Sequence, residues 1–82
     1  MYYVYLLRSK LNGELYRGST SNLKSRFKDH NDGKVFSTKR YRPWEIVYYE
    51  AFMEEKLARL REQKLKHNGN AMRELKKRVN LL

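Results

Sequence analysis

No cysteine occurs among the 82 residues, so neither a disulfide nor a thiolate metal site holds this chain together. No apolar run is long enough to span a bilayer. No segment repeats, none is of low complexity and none reads as a linker. The opening MYYVYLL has no basic stretch ahead of its apolar residues and no small-residue cleavage site. It reads as a first strand rather than a signal peptide, and a cytoplasmic location is the expectation. Acidic residues are scarce: nine Asp and Glu stand against nineteen Lys and Arg, a formal net charge of +10. Such an excess favours a polyanionic partner, nucleic acid first. The basic residues are spread along the chain rather than gathered on one amphipathic helix, which argues against a membrane surface. Catalytic signatures are scarce too. His30 and His67 are the only histidines and lie far apart, and HExxH, P-loop, dinucleotide and Ser-His-Asp patterns are all missing.

What is present suits one small α+β domain over residues 1–82. Apolar residues make up 40% of the chain and aromatics 13%, seven of them tyrosines, so a folded core is expected. Tyr2 to Arg8 is β-prone. Asn12-Gly13 is a hairpin signal, because both central residues must tolerate positive φ. Glu14 to Ser19 returns as a second strand. Thr20 or Ser21 is the expected cap of a helix starting near Asn22 and stopping near Gly33. Lys34 to Pro43 is polar and basic and reads as a loop. Trp44 to Phe52 is a third strand. Helices are expected from about Glu54 to Lys66 and, after the break at HNGN, from about Asn70 to Arg78. The order is strand-strand-helix-strand-helix-helix: a three-stranded antiparallel sheet flanked by helices.

Periodicity places the polar residues. At 100° per residue, Leu23 and Phe27 define the apolar stripe of the first helix, Arg26 and His30 fall on that side, and Lys24 and Lys28 face outward. An inward Arg is costly unless it meets an anion or a hydrogen-bonding cleft; otherwise it snorkels to water and the histidine caps something local. Along the first strand Tyr3 and Tyr5 share one face, and Tyr2, Val4 and Leu6 the other. Along the second, Tyr16 and Gly18 share a face opposite Leu15 and Arg17. A tyrosine hydroxyl there orients a water or bonds a phosphate, or the rings simply pack. On the second helix Leu57, Leu60 and Leu65 are expected in the core. Glu62, at the edge of that stripe, either holds a divalent cation or pairs with Lys66 one turn on.

Tyr3-Val4-Tyr5, Tyr16-Arg17-Gly18, Arg26, His30 and Glu62, in this order and spacing, resemble the GIY-YIG nuclease superfamily. STSNLKSRFKDHNDGK and STKRYRPWEIVYYEAF look like its small stand-alone bacterial branch. The resemblance spans nearly the whole chain and implies phosphodiester hydrolysis with one divalent metal, Mg²⁺ or Mn²⁺. By that resemblance Tyr5 and Tyr16 match the motif tyrosines, Arg26 the helix arginine, His30 a histidine found in several members, and Glu62 the metal-binding glutamate. In such a site Arg26 donates to phosphate oxygens, Tyr5 orients or deprotonates water with help from Tyr16, and His30 relays the proton from a reference pKa near neutrality. Two positions depart from the pattern. Tyr3 stands where the first motif has glycine, and Arg17 where the second has an aliphatic residue; Arg17 then needs solvent or a partner such as Glu14 or Glu50. The late asparagine of some members has no clear counterpart, Asn68 and Asn70 being the candidates.

Two principal function classes follow, with a third beside them. One is a metal-dependent DNA endonuclease selecting structure rather than sequence, linked to repair or recombination, with Lys34, Lys39, Arg40 and Arg42 on the backbone, working as a monomer or weak homodimer. The other is a DNA- or RNA-binding module that keeps the pocket without catalysis. An adaptor for an acidic protein is a third, predicting no nucleic-acid affinity even at low salt.

Overall fold

The structure, a computed structural model, describes residues 1–80. Strands β1 (Tyr2–Ser9), β2 (Leu15–Thr20) and β3 (Trp44–Phe52) form an antiparallel sheet in the order β2-β1-β3. Helix α1 (Leu23–Asn31) follows the hairpin, and α2 (Glu55–His67) and α3 (Gly69–Arg78) follow β3. This is the expected α+β arrangement. Gly13 closes the hairpin at φ +80° and Gly33 ends the α1 region at φ +78°, both left-handed positions where a side chain is strained.

The central strand decides the layers. Val4, Tyr5, Leu6 and Leu7 are all buried, so β1 is covered on both faces. Val4 and Leu6 join Ala58 and Leu65 of α2 and Met72 and Leu75 of α3 in one core. Tyr5 and Leu7 join Trp44 in a second core, against which Leu23 and Phe27 of α1, Tyr16, Tyr41 and Ile46 pack. An irregularity lets both cores share β3: Leu6 pairs with Tyr48 but Leu7 with Ile46, so Val47 and Tyr48 pack on the first core and Ile46 on the second.

Four expectations are corrected. The cap of α1 is Asn22, whose side chain accepts from Ser25 N–H at 3.1 Å. Thr20 still belongs to β2, and its hydroxyl instead accepts from Asn22 N–H at 3.0 Å. Leu57 and Leu60 are 43% and 55% exposed rather than core. The buried stripe of α2 runs through Ala58 and Leu65, seven residues apart, and Leu60 points almost opposite to it. The segment from Lys34 to Pro43 is more than a loop: Val35 and Thr38 are buried and Lys39–Tyr41 forms a 3₁₀ turn. Asn31 holds this segment shut, because its amide donates to Trp44 C=O at 3.1 Å and accepts from Trp44 N–H at 2.6 Å. Arg17 pairs with neither proposed carboxylate. Glu50 is taken by Arg61 at 2.6 Å, and Arg17 Nε is buried without a partner.

Candidate active site

β1 carries Tyr5 into the α1-side core, where β2 lies directly opposite with Gly18. The pairing needs a glycine: a Cβ at Gly18 would lie 2.5 Å from the Tyr5 hydroxyl oxygen. The phenol therefore lies over the β2 backbone and reaches His30 Nε2 at 2.9 Å. On the other side of the ring His30 Nδ1 lies 2.8 Å from Thr38 Oγ1, and that hydroxyl donates to Val35 C=O at 3.4 Å. With its proton given to Val35, Thr38 accepts from His30 Nδ1–H. Nε2 is then an acceptor, and Tyr5 donates to it. The result is a directed chain, Tyr5 O–H to His30 to Thr38 to a backbone carbonyl, with every buried polar group satisfied.

Tyr16 stacks edge-on to His30 with ring centroids 5.1 Å apart, and against Trp44 at 6.3 Å. Tyr5 meets the same imidazole edge-on at 5.7 Å. Arg26 is half-buried one turn before His30, near enough to Tyr5 for its charge to act on the hydroxyl. Glu62 reaches the same sheet edge from the other face. Its Oε1 accepts from Ser19 Oγ at 2.7 Å, and its Oε2 pairs with Lys66 Nζ at 2.9 Å.

The electrostatics correct one premise of the sequence reading. Burial, followed by the Arg26 charge, pushes His30 down to about 4, while Asp29 opposes the shift. At neutral pH the ring is therefore neutral, not poised near its reference value. Burial also pushes Tyr5 up to about 12; Arg26 opposes that shift, and Tyr16 and Glu62 add to it. The resting Tyr5 is a phenol that donates to His30. It is suited to orienting a water, and it offers no standing phenolate to deprotonate one.

The structure thus gathers Tyr5, Tyr16, Arg26 and His30 on the α1 side and brings Glu62 to the adjoining edge. Lys34, Lys39, Arg40 and Arg42 are all exposed on the segment after α1. Lys39 lies 5.1 Å over the ring of Phe36, itself 83% exposed. Asn68 caps α3, its side chain accepting from Asn70 and Ala71 N–H, so its amide oxygen is already occupied. The sequence reading missed Ser19 and Thr38. Strand alternation alone would have put Ser19 on the side of Glu62; nothing in the local sequence marks Thr38.

The GIY-YIG catalytic domain model matches residues 1–78, and the chain belongs to that family. It is 41% identical over 66 residues to UPF0213 protein SH2523 of Staphylococcus haemolyticus, covering 79% of each chain. It is 42% identical over 67 residues to UPF0213 protein CPE1444 of Clostridium perfringens, covering 80% of this chain and 71% of that one. The solution NMR structure of UPF0213 protein BH0048 from Bacillus halodurans superposes with a TM-score of 0.58 at 32% identity, covering 99% of this chain and 85% of that one.

Proposed function

We propose that this chain is an endonuclease hydrolysing phosphodiester bonds of DNA with the help of one divalent cation. The observation that carries the reading is the meeting, at one sheet edge, of the Tyr5–His30–Thr38 chain, the half-buried Arg26 and the Glu62 carboxylate. Arg26 is the phosphate ligand, donating to non-bridging oxygens in the fork geometry a guanidinium offers. Tyr5 holds the attacking water. As the bond from the water oxygen to phosphorus forms and the bond to the leaving oxygen breaks, the water proton passes to Tyr5 Oη, the Tyr5 proton moves to His30 Nε2, and the leaving oxygen takes its proton from bulk water. An imidazole whose pKa lies near 4 does not keep that proton, so the relay resets after each turnover. Tyr16 fixes the imidazole edge-on and keeps Nε2 aimed at Tyr5.

Glu62 fits a hard cation, Mg²⁺ or Mn²⁺, through carboxylate oxygens. The fit is that of a single protein ligand: among the described residues no three His, Cys, Asp or Glu gather. Lys66, exposed and one turn along, must yield Oε2, and phosphate and water complete the shell. When bound, the cation supplies charge neutralisation at the phosphate and the leaving oxygen. Affinity for metal without DNA is accordingly weak.

Exposed Lys34, Lys39, Arg40 and Arg42 contact the DNA backbone, RNA being the other substrate to test. Among the described residues no helix is long and apolar enough to cross a membrane. A cytoplasmic place in repair or recombination belongs to this reading. One observation favours the alternative of a binding module without catalysis: both Glu62 oxygens are already engaged, by Ser19 and Lys66.

The test is cleavage of single-stranded, duplex, nicked, flapped and branched DNA in Mg²⁺, Mn²⁺ or EDTA. Metal-dependent cutting should fall by about 10²–10³-fold in Arg26→Ala, the scale of losing one charge-stabilising donor. Glu62→Ala should abolish the metal dependence. Binding without cutting in any metal selects the binding module instead.

A further inference from the structure

Arg17 faces away from the candidate active site, and nothing above uses it. Its position on β2, paired with Leu6, puts it on the α2–α3 side of the sheet. Its Nε is the one buried side-chain polar atom without a hydrogen-bond partner among the described residues. The side chain lines an open cavity of about 600 Å³ between β2 and the two C-terminal helices. Lys66, Lys76, Glu14, Gly69 and Met72 share that wall. Three cations therefore meet one carboxylate there. Among the described residues, Glu14 and Lys76 form no ion pair, and Lys66 is committed to Glu62.

Such a hollow is costly as it stands. Like charges repel across it, and a shielded guanidinium N–H lacks its acceptor. One ligand relieves both: a compact anion with several acceptor oxygens. We propose that this cavity binds a phosphate group of the nucleic-acid strand, held by the Arg17 guanidinium and by Lys66 and Lys76 as point charges. The cavity shares Lys66 with the Glu62 ion pair, so the two sites meet at that side chain. The bound phosphate competes with Glu62 Oε2 for the Lys66 ammonium, freeing the carboxylate as substrate arrives. This inference rests on the reading of the chain as a nucleic-acid binder and is independent of cleavage.

The experiment combines NMR of the Arg17 Nε–H resonance with anisotropy measurements of oligonucleotide affinity across a salt series. Inorganic phosphate and a short single-stranded oligodeoxynucleotide are titrated separately into the full chain. Both should shift the Arg17 resonance, the oligonucleotide at far lower concentration. Arg17→Leu should weaken oligonucleotide binding by about tenfold and lower the salt slope by about one phosphate contact. The same variant, free of anions, should melt higher than the parent, because an orphaned polar group has gone; a purely structural arginine would not couple that gain to lost affinity. Lys76→Ala should weaken binding in the same direction. Unchanged affinity in both variants, with the parent still binding, overturns the site while leaving the endonuclease reading intact. A resonance that moves with inorganic phosphate but not with oligonucleotide assigns the cavity to small anions and overturns the strand assignment. Arg17-dependent binding without cleavage in any metal overturns the endonuclease reading and leaves the site standing.

Discussion

The two faces of this sheet bury polar groups in opposite ways. Under α1, Tyr5, His30 and Thr38 are buried and each hydroxyl and ring nitrogen has its partner. Under α2 and α3, Arg17 lines an open, basic cavity with its Nε buried and unmet. A satisfied network costs little and fixes one arrangement; an unsatisfied group costs stability until something supplies its acceptor. The face that is complete in the free protein is therefore pre-set, as a proton path needs to be. The incomplete face is the one whose energetics change when an anion arrives. Ser19 and Gly18, neighbours on β2, face the two sides, so the edge strand is where the halves meet.

The sharpest way to break the comparison is through pH. His30 is neutral in the folded chain because its pKa is depressed to about 4 against an ordinary 6.5. The unfolded chain binds a proton between those values and the folded chain does not, so stability falls as pH drops from 6.5 towards 4 and is fully present above 6.5. The window spans about 3 kcal/mol at its lower end. Denaturant unfolding at stepped pH should show that slope, and His30→Gln, which keeps a donor and an acceptor, should flatten it. Arg26, Asp29, Tyr5 and Tyr16 face the ring, and an unchanged slope in the variant would mean that the pH response does not come from His30.

A second way is steric. Gly18→Ala sets a methyl 2.5 Å from the Tyr5 hydroxyl oxygen and 2.7 Å from its ring carbon. Overpacking of this kind costs about 2 kcal/mol and tilts the phenol away from His30. Adding Tyr5→Phe removes the nearer of those atoms, so the double variant should lose less stability than the two single losses combined. Strict additivity would mean that β2 shifts instead of Tyr5, and that glycine is not what positions the hydroxyl.

How much of this was readable in the sequence differs between the same two faces. Strand alternation and helix periodicity put Tyr5, Arg26 and His30 on one side, because each belongs to an element whose period is fixed by its backbone. Thr38 was invisible: it lies in a non-repeating segment folded inward by hydrogen bonds from Asn31, Trp44 and Ser9. The depressed pKa of His30 was equally hidden, since it comes from burial that no local residue announces. On the other side Leu57 and Leu60 looked like core. The stripe of α2 is narrower than its leucines suggest, because small Ala58 lets the helix lie close to the sheet and Arg61 closes one flank through Glu50. Glu62 was legible as a choice between Lys66 and a cation. The carboxylate meets Lys66 through one oxygen and Ser19 through the other.

The smallest expected effect bears on the strand shared by both faces. Ser19→Ala removes the donor to Glu62 Oε1, and a part-buried hydrogen bond of this kind contributes about 1 kcal/mol. The loss should fall on Glu62 alone, since Ser19 pairs with Val4 across the sheet and its side chain points away from Tyr5. Unfolding should therefore shift slightly, while the slope between pH 6.5 and 4 that reports His30 stays as it was. If Glu62 is the cation ligand, freeing Oε1 leaves a carboxylate held only by exposed Lys66, and cleavage should need more metal to reach half its maximal rate. A variant with unaltered metal dependence would mean that Ser19 does not set the pose of Glu62. A changed pH slope would mean that the two faces are coupled through β2 more tightly than its alternating side chains imply.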